Sequence, residues 1–81
     1  MNVEVRLFAR ARDLVGSERV AIELHDAATV SDLKAALAER HPALRPLLAN
    51  LHVAIGSDYA ENGARIPAGA EVACFPPVSG G

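Results

Sequence analysis

Residues 19–40, RVAIELHDAATVSDLKAALAER, contain the change of pattern that decides the fold. Apolar side chains occupy every second position from Val20 to Leu24, which is the period of a strand with one buried face. Thr29 is followed three residues later by Asp32, and this pair is typical of a helix N-cap with an acidic first turn. From there, larger apolar side chains recur at helical spacing. The stretch therefore predicts a strand followed by a helix.

The helix is expected to end near Arg40, because His41-Pro42 follows and a proline disfavours helical geometry in the residue before it. On the N-terminal side, Asn2 to Phe8 alternates as Arg19 to His25 does. We therefore expect these two strands to form a hairpin across a wide turn that contains Gly16-Ser17.

The second half of the chain consists of shorter segments. Its predicted elements are one further helical turn at 44–48, a strand at 51–55, a loop with a short edge strand between 56 and 63, a tight turn at 67–69 and a final strand at 71–75. Pro76-Pro77 ends the final strand, because proline cannot continue a hydrogen-bonded ladder.

The element order strand, strand, helix, strand, strand predicts an α+β domain at 1–75 and an extended tail at 76–81. One main helix would lie across one face of a mixed sheet and bury that face. This is the β-grasp, or ubiquitin-like, arrangement. Knowledge of that fold, and not the periodicity, places the first and last strands side by side at the centre of the sheet.

The alternation also predicts which side chains face the helix. The expected inward set is aliphatic except for one thiol: Val3, Val5, Leu7, Val20, Ile22, Leu24, Leu51, Val53, Ile55, Val72 and Cys74. Phe8 and Phe75 fall outside this set and are expected on the opposite face. If they form an exposed apolar patch, it marks a partner surface. The alternative is that the rings fold into a loop at the strand ends, and periodicity favours neither.

Composition limits the function of this chain. Its 81 residues fit one small domain, and 16 of its hydrophobic residues are alanine, which leaves enough larger side chains for one thin core. The formal net charge of −2 argues against a nucleic-acid partner. No apolar run is long enough to span a membrane, so no membrane partner is expected. A single cysteine excludes an internal disulfide framework and makes a reducing cytoplasm the expected compartment.

The C-terminal residues carry the strongest functional signal. Pro76-Pro77-Val78-Ser79-Gly80-Gly81 is a tail that two prolines keep extended and that ends in two residues without side chains. Glycines at a terminus let a backbone enter a narrow channel and present a carboxylate to another protein's catalytic groups. Most terminal glycines are frayed ends, but a diglycine after the last strand of a β-grasp domain is a far more specific pattern.

Three segments resemble one known family, and together they span essentially the whole chain. They are FARARDLVG at 8–16, GAEVACF at 69–75 and the ending PPVSGG at 76–81. In these segments the chain is similar to the small subunit of molybdopterin synthase, also called the molybdopterin converting factor small subunit. The C-terminal motif is the most specific part of the resemblance.

The resemblance implies a sulfur carrier that is a non-catalytic, sulfur-donating subunit of its synthase. In that family, an adenylyltransferase related to the ubiquitin-activating class uses ATP and magnesium to adenylate the terminal carboxylate, here that of Gly81. The acyl adenylate becomes a thiocarboxylate, and the tail enters the large synthase subunit, where sulfur passes to cyclic pyranopterin monophosphate. The family also implies a heterotetramer of two small and two large subunits, with no cofactor bound by this chain.

The resemblance also implies residue roles. Gly81 is the reacting residue and Gly80 gives access to it, whereas Pro76, Pro77, Val78 and Ser79 position the tail. Phe8, Phe75 and, as a minor candidate, Arg12 dock partners.

Other polar residues receive no role. Cys74 is expected to be a small core side chain, and the histidines have no metal-ligand spacing, so no metal site is expected. Asp58, Tyr59 and Glu61 are expected in a loop. Two further functions remain open, namely a sulfur carrier for thiazole or cysteine synthesis and a ubiquitin-like modifier conjugated to lysines.

Overall fold

The computed structural model describes residues 1–77, and the tail residues 78–81 lie outside that range. The described chain forms a five-stranded mixed sheet in the order β2-β1-β5-β3-β4, with helices packed against it. The elements are β1 (Asn2–Leu7), α1 (Ala9–Val15), β2 (Arg19–Glu23), α2 (Val30–Arg40), a 3-10 turn (Pro42–Leu44), α3 (Arg45–Leu48), β3 (His52–Ile55), β4 (Asp58–Ala60) and β5 (Val72–Phe75). The α+β, β-grasp prediction is confirmed.

The main helix begins where the sequence predicts it. The Thr29 hydroxyl accepts a hydrogen bond from the Asp32 backbone N–H at 3.3 Å. The Asp32 carboxylate in turn accepts one from the Thr29 backbone N–H at 2.9 Å. This reciprocal capping box satisfies two backbone donors that no helical carbonyl can reach. The helix ends at Arg40, directly before His41-Pro42.

The first and last strands are neighbours at the centre of the sheet. Strand β1 pairs with β2 in antiparallel fashion and with β5 in parallel fashion. In the parallel pair, Leu7 is opposite Cys74, and the Phe8 backbone N–H donates to the Cys74 carbonyl at 3.2 Å. The parallel register therefore brings the ends of β1 and β5 to the same edge of the domain, next to the start of the tail.

The core is aliphatic, as expected. Nine of the eleven predicted inward residues are buried, and they are joined by buried residues of the helices and loops: Ala11, Ala28, Val30, Leu33, Leu37, Leu44 and Ile66. Val20 and Ile55 are half-buried and pack at the margin of this core. Val20 lies on the edge strand β2, where only one side of the strand is covered by a neighbour.

The connection between β1 and β2 differs from the wide turn that the sequence predicts. It contains the seven-residue helix α1, which ends at Gly16 in a left-handed conformation with φ 82°. Ala11 is fully buried in this helix, while Leu14 and Val15 pack against the core from the same segment. The helical spacing of these three residues gives little signal in the sequence, because alanine is a weak apolar residue and the charged Arg12 and Asp13 lie between Ala11 and Leu14.

The strand ends also differ from the predictions. Phe8 is the N-cap of α1 and lies outside β1, and β2, β3 and β5 are one or two residues shorter than predicted. Asp58 and Tyr59 were expected in a loop, but they belong to β4, the edge strand. Tyr59 pairs with Ala54 of β3, a strand whose apolar and other residues alternate. Strand β4 therefore adds to the sheet through backbone hydrogen bonds with β3.

Candidate partner-docking site

Phe8 and Phe75 meet where β1 and β5 end. Their ring centroids are 4.6 Å apart and the ring planes differ by 10°, which is a stacked pair. Both side chains are half-buried, whereas Leu7 and Cys74, the residues directly before them, are fully buried in the core. The structure therefore favours the prediction of a surface patch on the outer face over rings enclosed in a loop.

Two further rings extend this cluster across the sheet. Tyr59 on β4 contacts Phe75 edge-on at a centroid distance of 6.3 Å, and His52 on β3 contacts Tyr59 in the same manner at 6.0 Å. Tyr59 is 75% exposed and is the exposed large hydrophobic residue of the described chain. We call Phe8, His52, Tyr59 and Phe75 the aromatic patch. It runs across the sheet from Phe8, the residue after β1, through β5 and β3 to the edge strand β4.

Tyr59 is the residue of this patch that sequence reasoning missed. The sequence shows that Tyr59 is one of only three Phe, Tyr and Trp residues, but its exposure is known only from the structure. A large ring held in water contributes little to folding, which favours a role in binding. His52 was placed correctly on the outer side of the third strand but received no role.

Arginines border the patch on the side of β1. The Arg6 guanidinium lies 5.2 Å from the centroid of the Phe8 ring, within the range of a cation–π contact. Arg12 is exposed on α1, and its Nε is 3.8 Å from an Asp13 carboxylate oxygen. Arg12 lies on the helix that follows Phe8, and its place as a minor docking candidate stays a prediction.

The tail leaves the domain beside the aromatic patch. Pro76 and Pro77 follow Phe75, the first half-buried and the second exposed. Pro77 also lines a shallow surface cleft with residues of the connection between α3 and β3, namely Ala49, Asn50, Leu51 and His52. The predicted roles of Val78, Ser79, Gly80 and Gly81 concern positions outside the described residues.

Cys74 has no surface role. Its side chain is fully buried on the inner face of β5, and burial raises the pKa of the thiol to about 12. The reactive thiolate is therefore scarce at neutral pH. No group of three or more potential metal ligands occurs within residues 1–77. In the same part of the chain, no helix has the length and apolar character needed to cross a membrane.

Comparison with known proteins places the chain in a family. The family model described as "ThiS family" matches residues 5–81. The chain belongs to the ThiS family. Among curated members, it is 34% identical over 83 residues to the molybdopterin synthase sulfur carrier subunit of Chlamydomonas reinhardtii, and the match covers 100% of both chains. The resemblance found in the sequence motifs is thereby confirmed.

Other relatives of this ThiS-family chain carry a different description. The small archaeal modifier protein 1 of Haloferax volcanii is 37% identical over 87 residues, covering 98% of this chain and 100% of the relative. Its crystal structure superposes with a TM-score of 0.87 at 35% identity and full coverage of both chains. A complex of subunits 1 and 2 of the molybdopterin-converting factor from Helicobacter pylori contains a fully covered chain with a TM-score of 0.69. At 24% identity that match shows the fold alone.

Proposed function

We propose that this chain is the sulfur carrier subunit of a molybdopterin synthase and that it donates sulfur from a thiocarboxylate at Gly81. The full-length match to a molybdopterin synthase sulfur carrier subunit is the observation that carries the proposal. The position of the aromatic patch beside the start of the tail supports it, because a partner that binds the patch receives the tail as well.

The chemistry needs only the terminal carboxylate of this chain. A carboxylate resists nucleophilic attack until a leaving group is attached to it. An adenylyltransferase supplies that group when a carboxylate oxygen attacks the α-phosphorus of ATP, with magnesium, and pyrophosphate leaves. A sulfur donor then displaces AMP and leaves a thiocarboxylate at Gly81. The thiocarboxylate sulfur is a good nucleophile near neutral pH, and in the large subunit it attacks a carbon of cyclic pyranopterin monophosphate. Water then cleaves the bond between the Gly81 acyl group and the sulfur, so that the sulfur stays on the pterin and the Gly81 carboxylate is regenerated.

The domain itself serves to hold and deliver the tail. Phe8 and Phe75 bind the large subunit and the adenylyltransferase, while Pro76 to Ser79 guide Gly80 and Gly81 into the partner's channel. Since glycine has no Cβ, the last two residues fit a passage too narrow for other side chains. The chain binds no cofactor of its own, and the ATP and magnesium belong to the activating partner. The assembly is a heterotetramer of two small and two large subunits in the cytoplasm.

Mass spectrometry tests the proposal at its central step. The protein is incubated with an adenylyltransferase of the ubiquitin-activating class from the same organism, ATP, magnesium and a sulfide source. One oxygen of the C-terminal peptide should be replaced by sulfur. Deleting Gly81 should abolish this product while leaving the melting temperature unchanged, because the domain predicted at 1–75 does not include Gly81. Full sulfur transfer by the deletion variant would refute the proposal.

The match to small archaeal modifier protein 1 favours a second function, attachment of Gly81 to lysines of other proteins. The same adenylated carboxylate would then react with an amine in place of a sulfur donor. Peptides in which Gly81 is joined to a lysine by an isopeptide bond, isolated from cells, would support this function. Co-purification with a large synthase subunit distinguishes the first function from it, and also from a carrier for thiazole or cysteine synthesis.

A further inference from the structure

Basic residues are concentrated at one end of the sheet and acidic residues at the other. The formal net charge of −2 arises from eight basic and ten acidic residues, and seven of the basic residues are arginines. We define the tail end as the end where β1 and β5 finish, at Leu7 and Phe75, and the far end as the opposite end of the sheet, where β1 begins at Asn2 and β2 finishes at Glu23. Along the sequence, short runs of basic residues and of acidic residues follow one another, so the separation is visible only once the strands are paired.

Six of the seven arginines lie at the tail end. Arg6 and Arg19 face each other in the last register position of β1 and β2. Arg10 and Arg12 lie on α1, which follows β1 and packs against the 3-10 turn after α2. Arg40 ends α2, and Arg45 donates to the Ala38 carbonyl beside it at 3.4 Å. All six are exposed.

Carboxylates only partly offset these arginines. The tail end holds four acidic residues, so the six arginines leave it with a formal charge of +2: Asp13, Glu18, Glu39 and Glu61, the last of which follows Ala60 at the level of Cys74 and Leu7. Arg12 contacts Asp13 at 3.8 Å and Arg19 contacts Glu4, near the middle of β1, at 3.1 Å. The other four arginines have no carboxylate within ion-pair distance in the described part of the chain.

The far end is acidic. Glu23 is paired with Asn2 at the start of β1, and Asp26 follows it in the loop to α2. Asp32 is in the first turn of α2. Arg65, bridged to Thr29, is the one arginine there. Counted over side chains, three carboxylates and one arginine give this end a formal charge of −2, and the N-terminal ammonium contacts Glu23 at 3.5 Å and Asp26 at 3.8 Å.

Three further carboxylates, Glu4, Asp58 and Glu71, lie level with the middle of β1, because Val5 is paired with Val72, Val72 with Ile55, and Ile55 with Asp58. They belong to neither end.

We propose that the tail end binds a partner protein whose binding surface is bordered by carboxylates. The electric field of the separated charges orients the carrier during association, so that the tail end faces the partner. This inference rests on the proposed function for the identity of the partners. A carrier with a net charge of −2 and no polarity would be repelled weakly by an acidic partner. With the charges separated along the molecule, the positive end lies nearer to the partner in the favourable orientation.

The arginines suit this task because they do not fill the aromatic patch: Arg6 contacts the Phe8 ring at its border, and Arg40 and Arg45 lie on the helical side of the sheet. Charges at the rim of an interface act mainly on the rate of encounter, whereas buried rings decide how long the complex lasts. Electrostatic steering raises association rate constants by about 10-fold to 1,000-fold and weakens steeply as salt is added. The polarity is therefore expected to affect association, and the aromatic patch to affect dissociation.

The test compares two variants with the same net charge. The double variant Arg40→Gln/Arg45→Gln and the single variant Arg65→Glu each lower the net charge by two, from −2 to −4. The first weakens the tail end and the second acts at the far end. Association and dissociation rates are measured by stopped flow with the large synthase subunit and with the adenylyltransferase, at about 20 mM and about 300 mM salt.

The double variant should associate about tenfold more slowly than the unmodified chain at low salt, with an unchanged dissociation rate, and the difference should vanish at high salt. Arg65→Glu should change association less than twofold. Equal slowing in both variants would mean that net charge alone matters and would overturn the inference. So would association that is insensitive to salt.

A cation-exchange resin separates this inference from the proposed function. At neutral pH the unmodified chain and Arg65→Glu should be retained on carboxymethyl resin at low salt despite their negative net charge, and the double variant should pass through. Passage of the unmodified chain would overturn the inference even if thiocarboxylate forms. Absence of thiocarboxylate would overturn the proposed function alone. Retention of the unmodified chain on a nucleic acid in preference to either protein partner would overturn the acidic-protein assignment.

Discussion

Strand β5 has two faces, one that packs in the core and one that carries part of the aromatic patch. Val72 and Cys74 point inward and are fully buried in an aliphatic core, whereas Ala73 and Phe75 point outward and are half-buried. The inner residues are small and closely packed, and the outer face carries the ring that touches both Phe8 and Tyr59. Residues one position apart on a strand are therefore under different constraints, the inner ones from folding and the outer ones from binding.

The largest effect on stability is expected from the inner face. Val72→Ala should lower the free energy of unfolding by about 2 kcal/mol, because it removes two methyl groups from a fully buried site and leaves a cavity. Urea denaturation measures the change. Ala73→Ser, a small change on the outer face of the same strand, is the matched control and should cost much less. Equal losses in the two variants would break the distinction between the faces.

Phe75→Ala should separate binding from folding. The ring is half-buried and stacks on Phe8, so its loss should cost about 1 kcal/mol of stability. Affinity for the large synthase subunit should fall at least about tenfold, as for a central aromatic anchor of an interface. Titration calorimetry and thermal melting measure the two quantities on the same sample. A large drop in melting temperature without a binding defect would show that the ring belongs to the core.

A smaller effect is expected where β1 turns into α1. Ala9 has a φ of 52°, in the left-handed region that disfavours residues with a Cβ. Ala9→Gly should therefore raise the free energy of unfolding by about 0.5 kcal/mol. Ala11→Gly, in the same helix but with a buried methyl group, should lower it by about 1 kcal/mol. If Ala9→Gly destabilises the fold as Ala11→Gly does, the turn after Phe8 is unstrained.

The smallest effect is expected at the cap of α2. Hydrogen bonds from the backbone and then the hydroxyl of Thr29 lower the pKa of Asp32. Burial opposes them, and the hydrogen bond and charge of His25, 3.2 Å away, lower the pKa further. A lowered folded-state pKa stabilises the fold above the unfolded pKa of about 4, and this contribution disappears as the pH falls through the lower folded-state value.

Asp32→Asn should therefore make acid denaturation shallower below about pH 4, as followed by circular dichroism. Glu61→Gln is the control, since the Glu61 side chain takes part in no hydrogen bond or ion pair among residues 1–77. Identical acid profiles for the unmodified chain and Asp32→Asn would mean that the capping box contributes nothing through its charge.

Local patterns predicted much of the fold. The alternation in β1 and β2, the Thr29–Asp32 cap and the stop at His41-Pro42 all depend on residues close together in the sequence, and each appears in the structure. Helix α1 was missed because its buried contacts come largely from Ala11, whose small side chain gives a weak periodic signal. Strand β4 was predicted as a short edge strand, but Tyr59 was not placed on it.

The candidate site was predicted less completely. Phe8 and Phe75 were assigned to the outer face by parity alone, and the structure places them in contact. Tyr59 and His52 join them through the pairing of β3 with β4 and β5, which links residues far apart in the chain. The roles proposed for Gly80 and Gly81 come from the motif and the family, and they stand as predictions for the thiocarboxylate experiment.

By itself, the sequence determined the periods of the strands and the main helix, the helix cap and the diglycine end, because these depend on neighbours within a few residues. The tertiary structure alone decided that β1 lies parallel to β5, that three rings on strands and the ring of Phe8 form one patch, and that six arginines lie at the tail end. Such contacts join residues separated by long stretches of chain, and only the burial of the whole core overcomes the entropy of closing those stretches.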